Sequence, residues 1–133
     1  NQKNLAAIIK QFPIDQDSQN ALIEFIESQQ PLLTNWDQSQ KIDRLRKLSY
    51  AEFLKQYAQL PQAAIDVINN SSNSLWGIGW DALSVLEAIR LDMPGSHRLQ
   101  LTVSDFDSSE AHDEPYIFHF PDGNASIARA LVQ

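Results

Sequence analysis

The chain has 133 residues, 43% apolar and 20% charged, a make-up that supports one globular domain with an unstapled core. Its 10 Lys and Arg against 17 Asp and Glu leave a net charge of −7, which argues against wrapping a nucleic-acid backbone, a task that needs concentrated positive charge. There is no cysteine, so disulfide frameworks, thiolate zinc sites and cysteine nucleophiles are excluded, and nothing approaches the roughly 18 consecutive apolar residues of a membrane span.

Leu5, Ile8, Ile9 and Phe12 recur at helical spacing, and Pro13 stops the helix they predict. Asp15, Asp17 or Ser18 can cap a second helix that turns Leu22, Phe25 and Ile26 inward and ends near Pro31. Residues 34–47 are polar and charged, with Trp36, Ile42, Leu45 and Leu48 as apolar anchors, and predict a loop followed by a helical turn or two. The cations Lys41, Arg44, Arg46 and Lys47 read as one face of an exposed helix.

Ser49 and Glu52 have capping-box spacing and predict a helix with Phe53, Leu54 and Tyr57 inward. Leu60-Pro61 opens another through Ala64, Ile65 and Ile68, with the proline in the first turn, and residues 69–74 are a polar break. The strongest periodicity runs over residues 80–91, where Ala82, Val85, Leu86 and Ile89 form a stripe widened by Leu83 and Ala88, the pattern of a central buried helix. Pro94-Gly95 is a turn, and the alternation of Leu99, Leu101 and Val103 predicts a strand over 98–103. An acidic loop follows at 105–114, then an aromatic strand at 115–120. In the turn at 121–124, Gly123 suits a positive φ and Asn124 a cap, and a last helix places Ile127, Ala130 and Leu131 on one side. The expected fold is mainly α, a compact helical domain with a small two-strand element. Its parts are N-terminal helices (1–48), a central helical core (49–93) and a strand–turn–helix unit (94–133). The chain starts on Asn1 without Met and stops at Gln133 in an uncapped helical pattern, which reads as a portion of something longer.

Gly77-Ile78-Gly79-Trp80-Asp81-Ala82 matches the dinucleotide pattern G-x-G-x-x-A as a string. That pattern binds pyrophosphate only between a buried strand and a helix, with an acidic residue about 20 positions on. Here a polar run precedes it, so the expectation is a tight helix start whose small residues let Trp76 and Trp80 pack. The segment from Asp105 begins like a calcium loop but carries Glu110 at the glycine turn and Tyr116 at the bidentate position. His97, His112 and His119 lack the i, i+4 pairing of a zinc helix, so no metal site is expected.

Three strings carry a further signal: Ser49-Tyr50-Ala51-Glu52-Phe53-Leu54, Leu75-Trp76-Gly77-Ile78-Gly79-Trp80-Asp81-Ala82-Leu83-Ser84, and the run from Pro115 through Asp122-Gly123-Asn124 to Arg129. In order and content they resemble bacterial FAD-dependent amine oxidoreductases of the spermidine dehydrogenase type, within the wider flavin amine oxidase and phytoene desaturase group. The resemblance covers residues 49–133, and Asn124 stands where the wider group often has a second Gly. It implies an insertion domain, the substrate domain, of a larger FAD-binding α/β protein. The glycine fingerprint for FAD would lie before Asn1, so this portion would bind no cofactor and be inactive alone. The parent would oxidise an amine C–N bond by hydride transfer to flavin, a step the cofactor supplies.

The residues it implies as facing substrate or flavin are Trp76, Gly77, Gly79, Trp80, Asp81, His119, Asp122, Gly123 and Asn124. Asp81, Glu114 and Asp122 would attract a cationic amine, and Trp76, Trp80, Tyr116 and Phe118 would offer it aromatic faces. The implied partners are the rest of the parent chain and the amine, with self-association through Ile127, Leu131 and Val132 where these lie uncovered. The alternative reading is a self-contained helical interaction domain without catalytic activity.

Overall fold

Side-chain caps set the starts of four of the helices among the described residues. The computed structural model describes residues 2–107, in which α1 (Gln2–Ile9), α2 (Gln16–Glu27), α3 (Gln38–Leu45), α4 (Tyr50–Gln56), α5 (Gln62–Asn69), α6 (Asn73–Trp76) and α7 (Val85–Arg90) are joined by short turns. Asp15 caps α2, its carboxylate accepting from Ser18 Oγ at 2.7 Å and Ser18 N at 2.9 Å. Reciprocal capping boxes start α3 (Asp37 with Gln40) and α4 (Ser49 with Glu52), and Ser84 caps α7. Pro61, with no N–H to leave unsatisfied, precedes α5.

The apolar faces so oriented meet around α4. It packs on α5 and α7, while α5 also meets α2 and α7 also meets α3. Phe53, Leu54, Ala64, Ile65, Val85, Leu86, Trp80 and Leu99 are buried together, and Tyr50 joins them with its ring stacked on Phe53. The Tyr50 hydroxyl donates to the Pro94 carbonyl, and burial raises its pKa above the ordinary phenol value, so it remains a donor across the neutral range. The mainly helical class is as expected, and no helix among the described residues is long and apolar enough to cross a membrane.

Four local expectations are corrected. No strand forms over 98–103. The chain makes a 3-10 turn at Ser96–Leu99, and Gln100 then takes a left-handed φ of 55°. Leu99 and Leu101 are both buried, so the alternation marked burial, but the backbone there finds other partners. Arg98 O accepts from Leu32 N at 2.8 Å, and Leu99 O accepts from Lys41 Nζ at 2.9 Å. Lys41 is the second correction: it is 7% exposed and shares an inward face of α3 with Leu45, one turn away, its stem burying along apolar surface. The third is the long helix expected over 80–91, which begins only at Val85. Residues 80–83 are withheld from it because Trp80 O and Leu83 O accept from Ala51 N and Tyr50 N. The fourth is the polar break after α5, which is a helical turn (Asn70–Ser72) leading into α6.

In α1, Ile9 is buried while Leu5 and Ile8 are exposed; among the described residues this short helix packs chiefly on α2. The acidic loop beyond Asp107, the strand at 115–120, the turn at 121–124 and the last helix with Ile127, Leu131 and Val132 lie outside the described residues.

Among the described residues two glycines have left-handed backbones, in contrasting surroundings. A Cβ at Gly95 (φ 78°) would lie 2.1 Å from Phe25 Cζ, whereas one at Gly77 (φ 71°) would meet nothing within 4 Å. Gly77→Ala should cost about 1–2 kcal/mol of backbone strain, and Gly95→Ala about 1–3 kcal/mol more from overpacking. Urea denaturation of the two variants checks this, and equal losses would contradict the packing of Phe25 on Gly95.

Acid stability has a defined sign. The Ser18 hydroxyl and amide hold the Asp15 carboxyl below its ordinary value, and the Thr102 amide and hydroxyl, with Gln38, do the same for Asp105. Both contributions are complete above the unfolded carboxyl value and are lost as pH falls through the lowered folded values. An Asp15→Asn, Asp105→Asn double variant should therefore lose less stability than the native chain between about pH 5 and about pH 2, as read by denaturation midpoints.

Candidate functional site

The five sequence-selected residues that fall among the described ones lie in one segment between α5 and α7, Trp76 as the last residue of α6 and Gly77, Gly79, Trp80 and Asp81 in the loop that follows it. The remaining four, His119, Asp122, Gly123 and Asn124, lie outside the described residues. The loop is closed by its own polar groups. Trp80 N donates to the Asn69 carbonyl at 3.1 Å, Asp81 N to Asn69 Oδ1 at 2.9 Å, and Ser72 Oγ to the Ile78 carbonyl at 2.7 Å. The Trp80 indole N–H reaches Ser71 Oγ at 2.8 Å. Asn69 thus ties both halves of the loop, and the closure crowds Gly79, where a Cβ would fall 2.6 Å from Asp81 Oδ1 and 2.9 Å from Asn69 Nδ2.

The two tryptophans have opposite environments. Trp80 is 1% exposed, with its ring edge-on to Tyr50 at 5.2 Å, so both its surface and its N–H are committed to the interior. Trp76 is 46% exposed, with Leu75 (55%) and Ile78 (45%) beside it in sequence. Only one tryptophan packs, contrary to the expectation that small residues would seat both. Gly77 also does not start a helix: it is the left-handed residue that ends α6, its N–H donating to Asn73 O at 3.0 Å.

Asp81 is exposed and shares a shallow depression of about 320 Å³ with Glu52, Ser49, Lys55 and Gln62. Glu52 is partly engaged there, accepting from Ser49 Oγ at 3.2 Å in the cap of α4. Among the described residues no group of His and carboxylate side chains is placed to hold a metal ion. His97 is a tie between elements, its Nε2 lying 2.9 Å from the Ser28 carbonyl. Asp105, first residue of the calcium-like string, spends its carboxylate on Thr102 and Gln38. What the arrangement offers chemically is an exposed aromatic face and an exposed carboxylate on a hydrogen-bonded loop.

Sequence reasoning missed a cation seated on a ring. The Arg44 guanidinium lies 4.6 Å from the Trp36 ring centroid, and Trp36 meets Tyr57 edge-on at 5.4 Å. The signal was present in Asp37-x-x-Gln40, a capping-box spacing that starts α3 immediately after Trp36 and sets Arg44 two turns along.

The burial contrast in the loop can be measured directly. Trp80→Ala should destabilise the domain by about 3–5 kcal/mol and Trp76→Ala by less than about 0.5 kcal/mol, both read by urea denaturation. No protein-family model matches the chain, and no curated protein matches it.

Proposed function

We propose that this chain is the substrate-domain portion of an FAD-dependent amine oxidoreductase of the spermidine dehydrogenase type. The observation that carries the reading is the meeting of two of its three resembling strings. Residues 49–54 and 75–84 are separate in sequence, yet Tyr50 N donates to Leu83 O at 2.9 Å and Ala51 N to Trp80 O at 3.0 Å. The shared residues thus belong to one structural unit, which supports inheritance as a piece over chance likeness of short strings.

The described residues do not fit the flavin's dinucleotide. A pyrophosphate cradle needs a strand, a glycine turn and a helix start, whereas Gly77 closes a four-residue helix and Gly79 packs against Asn69. In this reading FAD is held elsewhere in the parent chain and supplies the oxidation of the C–N bond. The role left to these residues is collection of the amine: Asp81 and Glu52 present carboxylates to an ammonium, and Trp76 offers its ring to the cation or its methylene chain. The exposed Leu75, Trp76 and Ile78 favour the second reading, an interaction domain, in which the same loop contacts a protein.

The test is anaerobic addition of spermidine to the full-length parent protein reconstituted with FAD. The proposal expects a yellow protein whose flavin absorbance bleaches on addition of the amine. A protein that stays colourless after reconstitution would contradict it.

A further inference from the structure

Among the described residues three arginines lie on aromatic rings, and how each spends its N–H groups separates them. Arg98 stands over Phe25 at 5.4 Å and donates from Nε to the Gln30 carbonyl at 2.8 Å. Arg90 stands over Phe106 at 5.9 Å and pairs with both Glu87 and Asp107. These two are structural ties, with ring contact and donors both used within the domain. Arg44 over Trp36 has the ring contact alone, and among the described residues no carboxylate or carbonyl takes its N–H groups. A guanidinium held over a ring face keeps its N–H donors available, and these can receive a planar oxyanion through two parallel bonds.

The surroundings of Arg44 supply the rest of a site. Trp36, Arg44, Lys47, Leu48 and Tyr57 line a shallow, open cleft of about 290 Å³. Lys47 is exposed and, like Arg44, has no ion-pair partner among the described residues, although the protein carries a net charge of −7. Tyr57 is 37% exposed and is held between Trp36 and Phe53, which orients its ring in advance. Fixed aromatic walls and two uncompensated cations select one ligand chemistry.

We propose that this cleft binds a small aromatic oxyanion, its carboxylate or phosphate on Arg44 and Lys47 and its ring against Tyr57 and Trp36. The site is separate from the loop of Trp76 and Asp81, and the inference does not depend on the amine oxidoreductase reading. Cations near the end of α3 also complement the helix dipole, a role that needs neither ring nor cleft, so the test must distinguish the two.

The test titrates the 133-residue chain with 1-naphthoate, 1-naphthyl phosphate and the neutral 1-naphthalenemethanol, read by amide and indole NMR shifts. Shifts should concentrate at the Trp36 indole, Arg44, Lys47 and Tyr57, and at least one anion should bind about tenfold more tightly than the alcohol. The tighter of the two anions identifies the headgroup. Arg44→Gln should reduce anion binding to the level of the alcohol without changing the melting temperature, and Arg44→Lys should not restore it, because an ammonium lacks the planar fork. The proposal is overturned if the alcohol binds as well as both anions, if the shifts map elsewhere, or if Arg44→Gln lowers the melting temperature while anion affinity stays intact.

Discussion

The described structure depends on a reciprocal exchange of hydrogen bonds between two helix starts. The first amides of a helix have no partner within it, and burying them unpaired is costly. Here Tyr50 N and Ala51 N, which open α4, donate to Leu83 O and Trp80 O, while Val85 N, which opens α7, donates to Leu48 O at 3.0 Å. The two caps, Ser49 and Ser84, face each other as an isolated antiparallel bridge. Each helix thereby satisfies part of the other's deficit. The same bonds seat Trp80 against Tyr50 and bring α4 and α7 together at the centre of the core.

That junction leaves the loop before it with little freedom. Its return to Trp80 is set by α4, and its start is tied by Asn69, so the residues between them turn their polar groups inward onto one another. Leu75, Trp76 and Ile78 are left outward by this closure. The loop joins a buried tryptophan that stabilises the domain to an exposed one that is available for contact. On another side of α4, Tyr57 carries the aromatic contacts of the core out to Trp36 and Arg44.

Features set by local chemistry were legible in the sequence. Ser49-x-x-Glu52, Asp15 before α2 and Pro61 before α5 announced helix starts because a cap needs only its own next few residues. Apolar spacing likewise pointed Leu22, Phe25, Leu54 and Ile65 inward. What was not legible came from partners distant in sequence. Residues 80–83 have good helical periodicity, but their carbonyls are claimed from some 30 positions away (Trp80 to Ala51 is 29). Residues 98–103 alternate like a strand, yet the Arg98 and Leu99 carbonyls are taken by Leu32 and Lys41, while the Gln100 and Thr102 amides bond locally to His97 O and the Asp105 carboxylate. Lys41 read as a surface cation because nothing nearby in sequence reveals that Leu99 offers it a carbonyl. Of the candidate loop, the glycines and tryptophans were visible as a motif, while the division between Trp80 inside and Trp76 outside needed the position of Tyr50.

The functional reading rests on the same junction, since it unites the two resembling strings that the described residues contain. Native-state hydrogen exchange of the Tyr50, Ala51 and Val85 amides tests the junction most directly. First-turn amides normally exchange through local fraying, but these three should exchange only through global unfolding, at the slow rate of core amides such as those of Phe53 and Leu54. Exchange of all three at the fast rate of exposed helix starts, with Phe53 and Leu54 still protected, would contradict the account.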